Sequence, residues 1–347
     1  MTSLLCLPDN CERVLLFGGV WAAWYLSLTS PQIRESIWTA LPAVRQSMPK
    51  KIFVVGGHGG RGESQKPYSK AEVCDARGGA ACTWETSKGP CLARTHGSAI
   101  AVSHYLYVLG GRTSDCHTTT SVERLDFYRS LEWECAPSLA SARHSAAALC
   151  ISGSLYILGG FDGVDALDTC EELRHQESYV NSDSWCSRPP LSFPRGKHAA
   201  VTIGSSIYLL GGMDSGYRSL DLVSCGDFSD WSDWTLQPPM QQARSGCAAA
   251  VVLGAIVVVG GVAGGWTTLS SVERFQPQLG HWETMAPMQI IRRECAAIAF
   301  AGELWVLGGA SYGGRSSGKV EVLREAGWEL GPSLMPRSGC AAVFLRG

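Results

Sequence analysis

The sequence predicts an all-β propeller of four-stranded antiparallel blades, seven in number with six as the alternative. Three recurrences predict it. A Gly-Gly pair after an apolar run occurs at 18-19, 56-57, 110-111, 159-160, 211-212, 260-261 and 308-309, at intervals of 38, 54, 49, 52, 49 and 48 residues. Each pair is followed 19 to 27 residues later by a tryptophan: Trp38, Trp84, Trp133, Trp185, Trp234, Trp282 and Trp328. An arginine then precedes the next pair by sixteen positions in the five complete internal units. Repetition at about fifty residues, with four short apolar segments per repeat, is the signature of propeller blades.

The unit that starts at Arg244 shows the elements in order. AAAVVL (248–253) reads as a first strand and Gly254 as its turn. AIVVVGG (255–261) is a second strand, SSVERF (270–275) alternates as a third, and HWETM (281–285) is a fourth. The unit from Arg143 repeats this with AAALCI, LYILGG, DTCEEL and DSWCS. Valine, isoleucine and tyrosine enrichment, period-two alternation and glycine punctuation all favour strands.

Each recurring residue has an expected physical task. Two glycines at a strand end let neighbouring backbones approach closely near the narrow axis. The tryptophan lies on the wide outer part of the blade, where its ring fills the space between diverging sheets. Full burial of such a ring is worth roughly 4–6 kcal/mol as an upper bound. Glu72, Glu123, Glu172, Asp221, Glu273 and Glu321 recur on strand three and are expected to pair with arginines.

Composition limits the remaining classes. The chain has 347 residues, 45% hydrophobic and 17% charged, so it is expected to fold and not to be disordered. A net charge of −2 gives no electrostatic footprint for nucleic acid or an anionic membrane. Cys247, Cys295 and Cys340, three of fourteen cysteines, share one repeat position and read as small buried side chains, not disulfide partners. The N-terminal residues lack a signal-peptide pattern and no N-x-Ser/Thr sequon occurs, so a cytoplasmic, monomeric, membrane-free protein is expected. The uncharged stretches 247–266 and 14–28 align with interrupted hairpins elsewhere and read as strand pairs, not membrane spans.

Short catalytic motifs occur in the wrong context. GHGGRG (57–62) matches a dinucleotide fingerprint, but a polar loop follows it instead of a helix. GRSSG (314–318) matches a nucleophile elbow, yet lies between strands two and three of a blade. The cysteines and histidines show no zinc spacing, and no cofactor is expected. His96 and His144, just after the repeat arginine, are expected to be hydrogen-bonding loop residues on the ligand face.

The segments VERFQPQLGHWETMAPMQIIRRECAAIAFAGELWVLGG (272–309) and SVERLDFYRSLEWECAPSLASARHSAAALCISGSLYILGGFDG (121–163) closely resemble the Kelch repeat. The pattern covers nearly the whole chain and is most similar to the Kelch domains of Kelch-like ubiquitin-ligase adaptors. Those adaptors carry BTB and BACK domains ahead of the propeller; neither is evident here, so ligase recruitment is not expected. The iron pattern of plant specifier proteins and the copper constellation of Kelch-fold oxidases have no match in the sequence.

The resemblance further implies that the arginine opening strand one lies at the channel mouth and grips acidic peptides. By position this ring is Arg94, Arg143, Arg195, Arg244, Arg292 and Arg337, with internal pairing to blade acids as the alternative for each. Loops between strands two and three, with Phe161, Asp162, Tyr217, Trp266 and Tyr312, would add aromatic anchors. The function expected is a non-catalytic module that binds a partner peptide or loop, acidic in the favoured case. A sugar epimerase or lyase built around His96, His144 and Glu294 is one alternative, and an actin-associated scaffold or ubiquitin-ligase substrate receptor is another.

The domain is expected to run from 13 to 347 after a lead of residues 1–12. RSGCAAVFLRG (337–347) is a first strand with nothing after it, and RVLLFGG (13–19) a second strand with nothing before it. Together they are expected to close the ring. Arg45 precedes Gly56 by only eleven residues, too few for a first strand, which leaves a three-stranded blade or a lost exon edge there.

Overall fold

A computed structural model describes residues 51–60, 66–75, 83–127, 132–174, 184–228, 234–300 and 302–345. They form six four-stranded antiparallel sheets, the smaller of the two expected blade numbers. Blade 1 comprises Ser338–Leu345, Lys51–His58, Lys70–Asp75 and Trp84–Lys88. Blade 2 comprises Ser98–Val102, Tyr105–Leu109, Val122–Asp126 and Trp133–Ala136. Blade 3 follows with Ala147–Ile151, Ser154–Leu158, Cys170–Leu173 and Trp185–Arg188. Blade 4 is Ala199–Ile203, Ser206–Leu210, Val223–Asp227 and the three-residue Thr235–Gln237. Blade 5 is Ala248–Val252, Ala255–Val259, Val272–Gln276 and His281–Met285. Blade 6 is Ala296–Phe300, Glu303–Leu307, Val320–Arg324 and Gly327–Leu330.

The C-terminal strand closes the ring, but on a different partner from the one expected. It pairs with Lys51–His58 in a seven-pair register from Lys51↔Leu345 to His58↔Ser338. That accounts for the short interval before Gly56: the first strand of this blade comes from the other end of the chain. Gly18-Gly19, Trp38, Arg45, the segment 13–19 and the lead 1–12 lie outside the described residues.

There is no single central core. Six apolar clusters fill the wedges between neighbouring blades, for example Phe53 and Val55 of blade 1 against Leu106 and Val108 of blade 2. The second strand of each blade lies between two wedges and is buried on both faces, as in Ala255–Val259. It therefore reads as a continuous apolar run, whereas the first strand alternates. The apolar stretch 247–266 resolves into two such strands, and no helix among the described residues is long and apolar enough to cross a membrane.

Two hydrogen-bond circuits join the blades. The second glycine of each Gly-Gly pair donates its N–H to the carbonyl of the next blade's repeat arginine, at 2.8–3.1 Å all the way round. A Cβ on Gly110 would stand 2.2 Å from the Arg143 carbonyl, so this approach excludes any other residue. At the rim, each strand-four tryptophan donates its indole N–H to a carbonyl of the preceding blade. Trp84 reaches Pro332, Trp133 reaches Lys88, Trp185 reaches Pro137, Trp234 reaches Pro190, Trp282 reaches Pro238 and Trp328 reaches Ala286. Of the six, only Trp133 and Trp282 are buried, and neither completely, so rim packing is smaller than the upper bound from the sequence and the indole hydrogen bond is part of the residue's task.

Deleting residues 338–347 should expose the edge of Lys51–His58 and one face of two wedges. A large fall in melting temperature, or loss of a cooperative transition, is expected by circular dichroism. A truncated chain that melts with the full-length protein would contradict closure.

Candidate functional site at the channel mouth

The six repeat arginines do not face solvent at the channel mouth. Arg94, Arg143, Arg195, Arg244, Arg292 and Arg337 are 0–1% exposed and extend into their own blades. Nη1 of Arg143 donates to the carbonyls of Gly159 and Thr169, and Nη2 donates to Glu171 at 2.6 Å. The same plan joins Arg94 to Glu123, Arg244 to Glu273, Arg292 to Glu321 and Arg337 to Glu72. The constant spacing of sixteen now has a cause: it is the distance along the chain from the guanidinium to the first glycine's carbonyl. The other carboxylate valences accept backbone N–H groups of the incoming connector, such as Cys91 on Glu123 and Gln241 on Glu273.

Two members of the expected acidic row are corrected. In blade 3 the partner is Glu171, because the chain is one residue shorter before that strand. Glu172 faces the opposite side and binds Tyr156, Arg174 and Arg188. In blade 4 the equivalent position is Ser224, and no ion pair joins Asp221 to Arg195 among the described residues.

Two residues beyond each arginine, the chain turns into the channel. His96, Ser145, Lys197, Gly246, Glu294 and Gly339 occupy the same position in successive blades, all with φ between 53 and 61°. Each N–H donates to the carbonyl of the preceding member, and the six bonds of 2.7–3.0 Å form a closed annulus around the axis. A non-glycine residue in this conformation costs roughly 1–3 kcal/mol, and one hydrogen bond contributes about 0.5–1.5 kcal/mol. The bond offsets part of that cost, and four of the six positions nevertheless carry a side chain: His96, Ser145, Lys197 and Glu294.

Those side chains meet over the axis. Lys197 Nζ lies 2.8 Å from Glu294 Oε1, across Gly246, and His96 Nε2 lies 3.3 Å from Glu294 Oε2, across Gly339. A Cβ on Gly339 would stand 3.0 Å from the His96 ring, so the glycine makes room for it. Burial works to raise the Glu294 carboxyl, but His96 and Lys197 overcome it and hold the group well below the usual carboxylate range. Beneath the annulus is a cavity of about 110 Å³, also lined by His198, Cys247, Cys295 and Cys340. Burial and the nearby Arg195 push His198 down to about 3, and burial pushes the Cys247 and Cys340 thiols up to about 11, so this layer is uncharged at neutral pH.

The mouth has two unlike halves. Blades 1 to 3 carry a histidine row, with ring centroids 6.2 Å apart for His58–His96 and 6.3 Å for His96–His144. His144 also stacks on Phe161 at 5.7 Å, and burial followed by His96 lowers it to about 3. Phe161 is buried, so it braces His144 and is not an exposed anchor. Asp162 shapes its own loop by accepting the N–H groups of Val164 and Asp165. Blades 4 to 6 present the aromatic side chains Tyr217, Trp266 and Tyr312, which are 60%, 55% and 79% exposed. Tyr217 and Trp266 sit at φ 59° and 63° on their loop tips, and a two-residue ladder, Val262–Ala263 with Thr267–Thr268, stiffens the Trp266 loop.

The remaining motifs keep structural roles. His58, inside the glycine-rich segment, ends a strand. Ser316 of GRSSG donates to the His58 carbonyl at 3.0 Å and bridges blade 6 to blade 1. No group of three or more metal-ligating side chains is assembled among the described residues. Sequence reasoning missed the annulus, Lys197 and Ser145; their signal was the fixed position two residues after each arginine.

Arg244→Ala should leave Glu273 buried without its cation and cost about 3–5 kcal/mol, read as a lower urea midpoint. An unchanged midpoint would return the arginine to a ligand-binding role.

The comparisons agree with this architecture. The Kelch motif matches residues 243–289, the span of blade 5 with its flanking connectors. The solved structure titled "Structure of YjhT" is 14% identical with a TM-score of 0.64, over 80% of this chain and 98% of that chain. No curated protein sequence matches significantly. With that motif in one blade and the same strand plan in all six, the described residues are a six-bladed β-propeller that carries a Kelch motif in blade 5.

Proposed function

We propose that the propeller is a protein-interaction module whose partner docks on the channel-mouth face, over the aromatic arc of blades 4 to 6. The observation that carries this reading is the exposure of Tyr217, Trp266 and Tyr312 on neighbouring loops, two of them held at left-handed φ. Large aromatic side chains in water are costly unless a partner covers them, and they are the usual energetic centres of interfaces. Val164, Phe193, Ile291 and Met335 add exposed apolar surface on the loops and connectors of the same face. Lys197, His96 and Glu294 would supply the polar contacts at its centre. The arginine ring takes no part, since its guanidinium groups are consumed inside the blades.

A second reading, a Kelch-fold enzyme acting on a small polar molecule such as a sugar, is favoured by one observation. The Glu294 carboxylate, with His96 and Lys197 on it, sits at the mouth of a cavity. That sets a carboxylate, an imidazole and an ammonium within reach of one another, the residue types that proton-transfer sites use.

One experiment separates the readings. Affinity capture is compared for the wild type, a Tyr217→Ser/Trp266→Ser/Tyr312→Ser variant, and Leu279→Ser in an exposed β-turn of blade 5. The interaction reading expects the partner set to survive Leu279→Ser and disappear with the triple variant. Identical sets in all three would defeat it. The enzyme reading instead expects carbohydrates to raise the melting temperature of the wild type and not of Glu294→Gln.

A further inference from the structure

We propose that blade 4 binds a small monovalent anion of chloride size, held by the Arg195 guanidinium, the Ser224 hydroxyl and the Ser192 backbone N–H. The other five blades supply the internal standard. In each, a strand-three glutamate receives Nη2 of the repeat arginine together with one or two N–H groups of the connector. The connector donor stands three residues before the arginine in blades 2, 3, 5 and 6: Cys91, Ala140, Gln241 and Gln289.

Blade 4 keeps every part of this socket except the carboxylate. Arg195 is 0% exposed, and its Nη1 still points at the Gly211 and Leu222 carbonyls, at longer distances of 3.4 and 3.5 Å. Nη2 meets the Ser224 Oγ at 3.1 Å, where in the other five blades it meets a glutamate carboxylate. Ser192 occupies the connector position and is solvent-exposed, as are Cys91, Ala140, Gln241 and Gln289. Serine ends where the glutamate Cγ would be, so the two carboxylate oxygens that the other five blades set against these donors have no counterpart here.

A buried guanidinium without a counter-charge pays a desolvation cost that its neutral hydrogen bonds do not return. Burial lowers Arg195 to about 10, which leaves it protonated at neutral pH, with no carboxylate to oppose the shift. A small anion entering past Ser192 restores the charge balance that glutamate provides elsewhere. A partner's acidic side chain is the poorer fit, because both Arg195 and Ser224 are fully buried.

The test is thermal melting of the full chain in chloride against gluconate at constant ionic strength, gluconate being too large for the space. Above the dissociation constant, melting temperature should climb by about 2 °C for each tenfold rise in chloride. Ser224→Glu should melt above the wild type in gluconate and show no chloride response. An equal chloride response in Ser224→Glu, or none in the wild type, overturns the proposal. Should that variant not fold, bromide-soaked wild-type crystals decide: an anomalous peak against the Arg195 guanidinium supports the site, and its absence rejects it.

Discussion

The buried arginine that opens each blade organises everything around it. Its guanidinium ties the end of strand two to strand three inside its own blade. Its backbone carbonyl receives the Gly-Gly N–H of the blade before. Two residues later the chain has turned into the axial annulus, and sixteen residues later it returns as the glycine carbonyl that the same guanidinium binds. One residue thus fixes the connector, the inter-blade seam and the entry to the channel. The cost is a buried charge, which is tolerable only with excellent geometry and a partner, and five blades supply that partner as glutamate.

The channel mouth inherits its precision from this scaffold. Because the arginine is immobile, the residue two positions on is forced into left-handed φ in every blade, whatever its chemistry. Variation at that position is therefore free to be functional: two glycines leave space, and His96, Lys197 and Glu294 fill it with one contact network. The loops between strands two and three start at the glycine pair and are braced by contacts of their own, such as the short ladder under Trp266. They differ from blade to blade, and in blades 4 to 6 they present aromatic side chains, whereas His96 and His144 of the histidine row come from the connectors just after the repeat arginines.

Much of the fold was legible in local pattern. Strand positions in blades 3 and 5 fall within a residue or two of the expected ones, since apolar alternation and glycine turns are set by neighbours in sequence. The blade count was not legible. Residues 51–58 look like a three-stranded remnant until the strand from 338–345 is seen beside them, and no local signal records a pairing across nearly the whole chain. The arginine ring was legible as a position and misread as a surface. Sequence spacing locates a side chain along the chain but does not say whether it points to solvent or into the sheet.

The sequence by itself determined a propeller of repeated blades, the residues that mark each one, and the C-terminal segment as a first strand in need of a partner. Those features follow from periodicity, and periodicity is local. Tertiary structure decided that the arginines are internal, that Glu171 and not Glu172 completes blade 3, and that His96, Lys197 and Glu294 converge. It also decided that Arg195 alone among the six lacks an acidic partner. Each of these depends on which side of a strand a residue takes, or on residues far apart in sequence meeting at the axis, and only the closed ring brings them together.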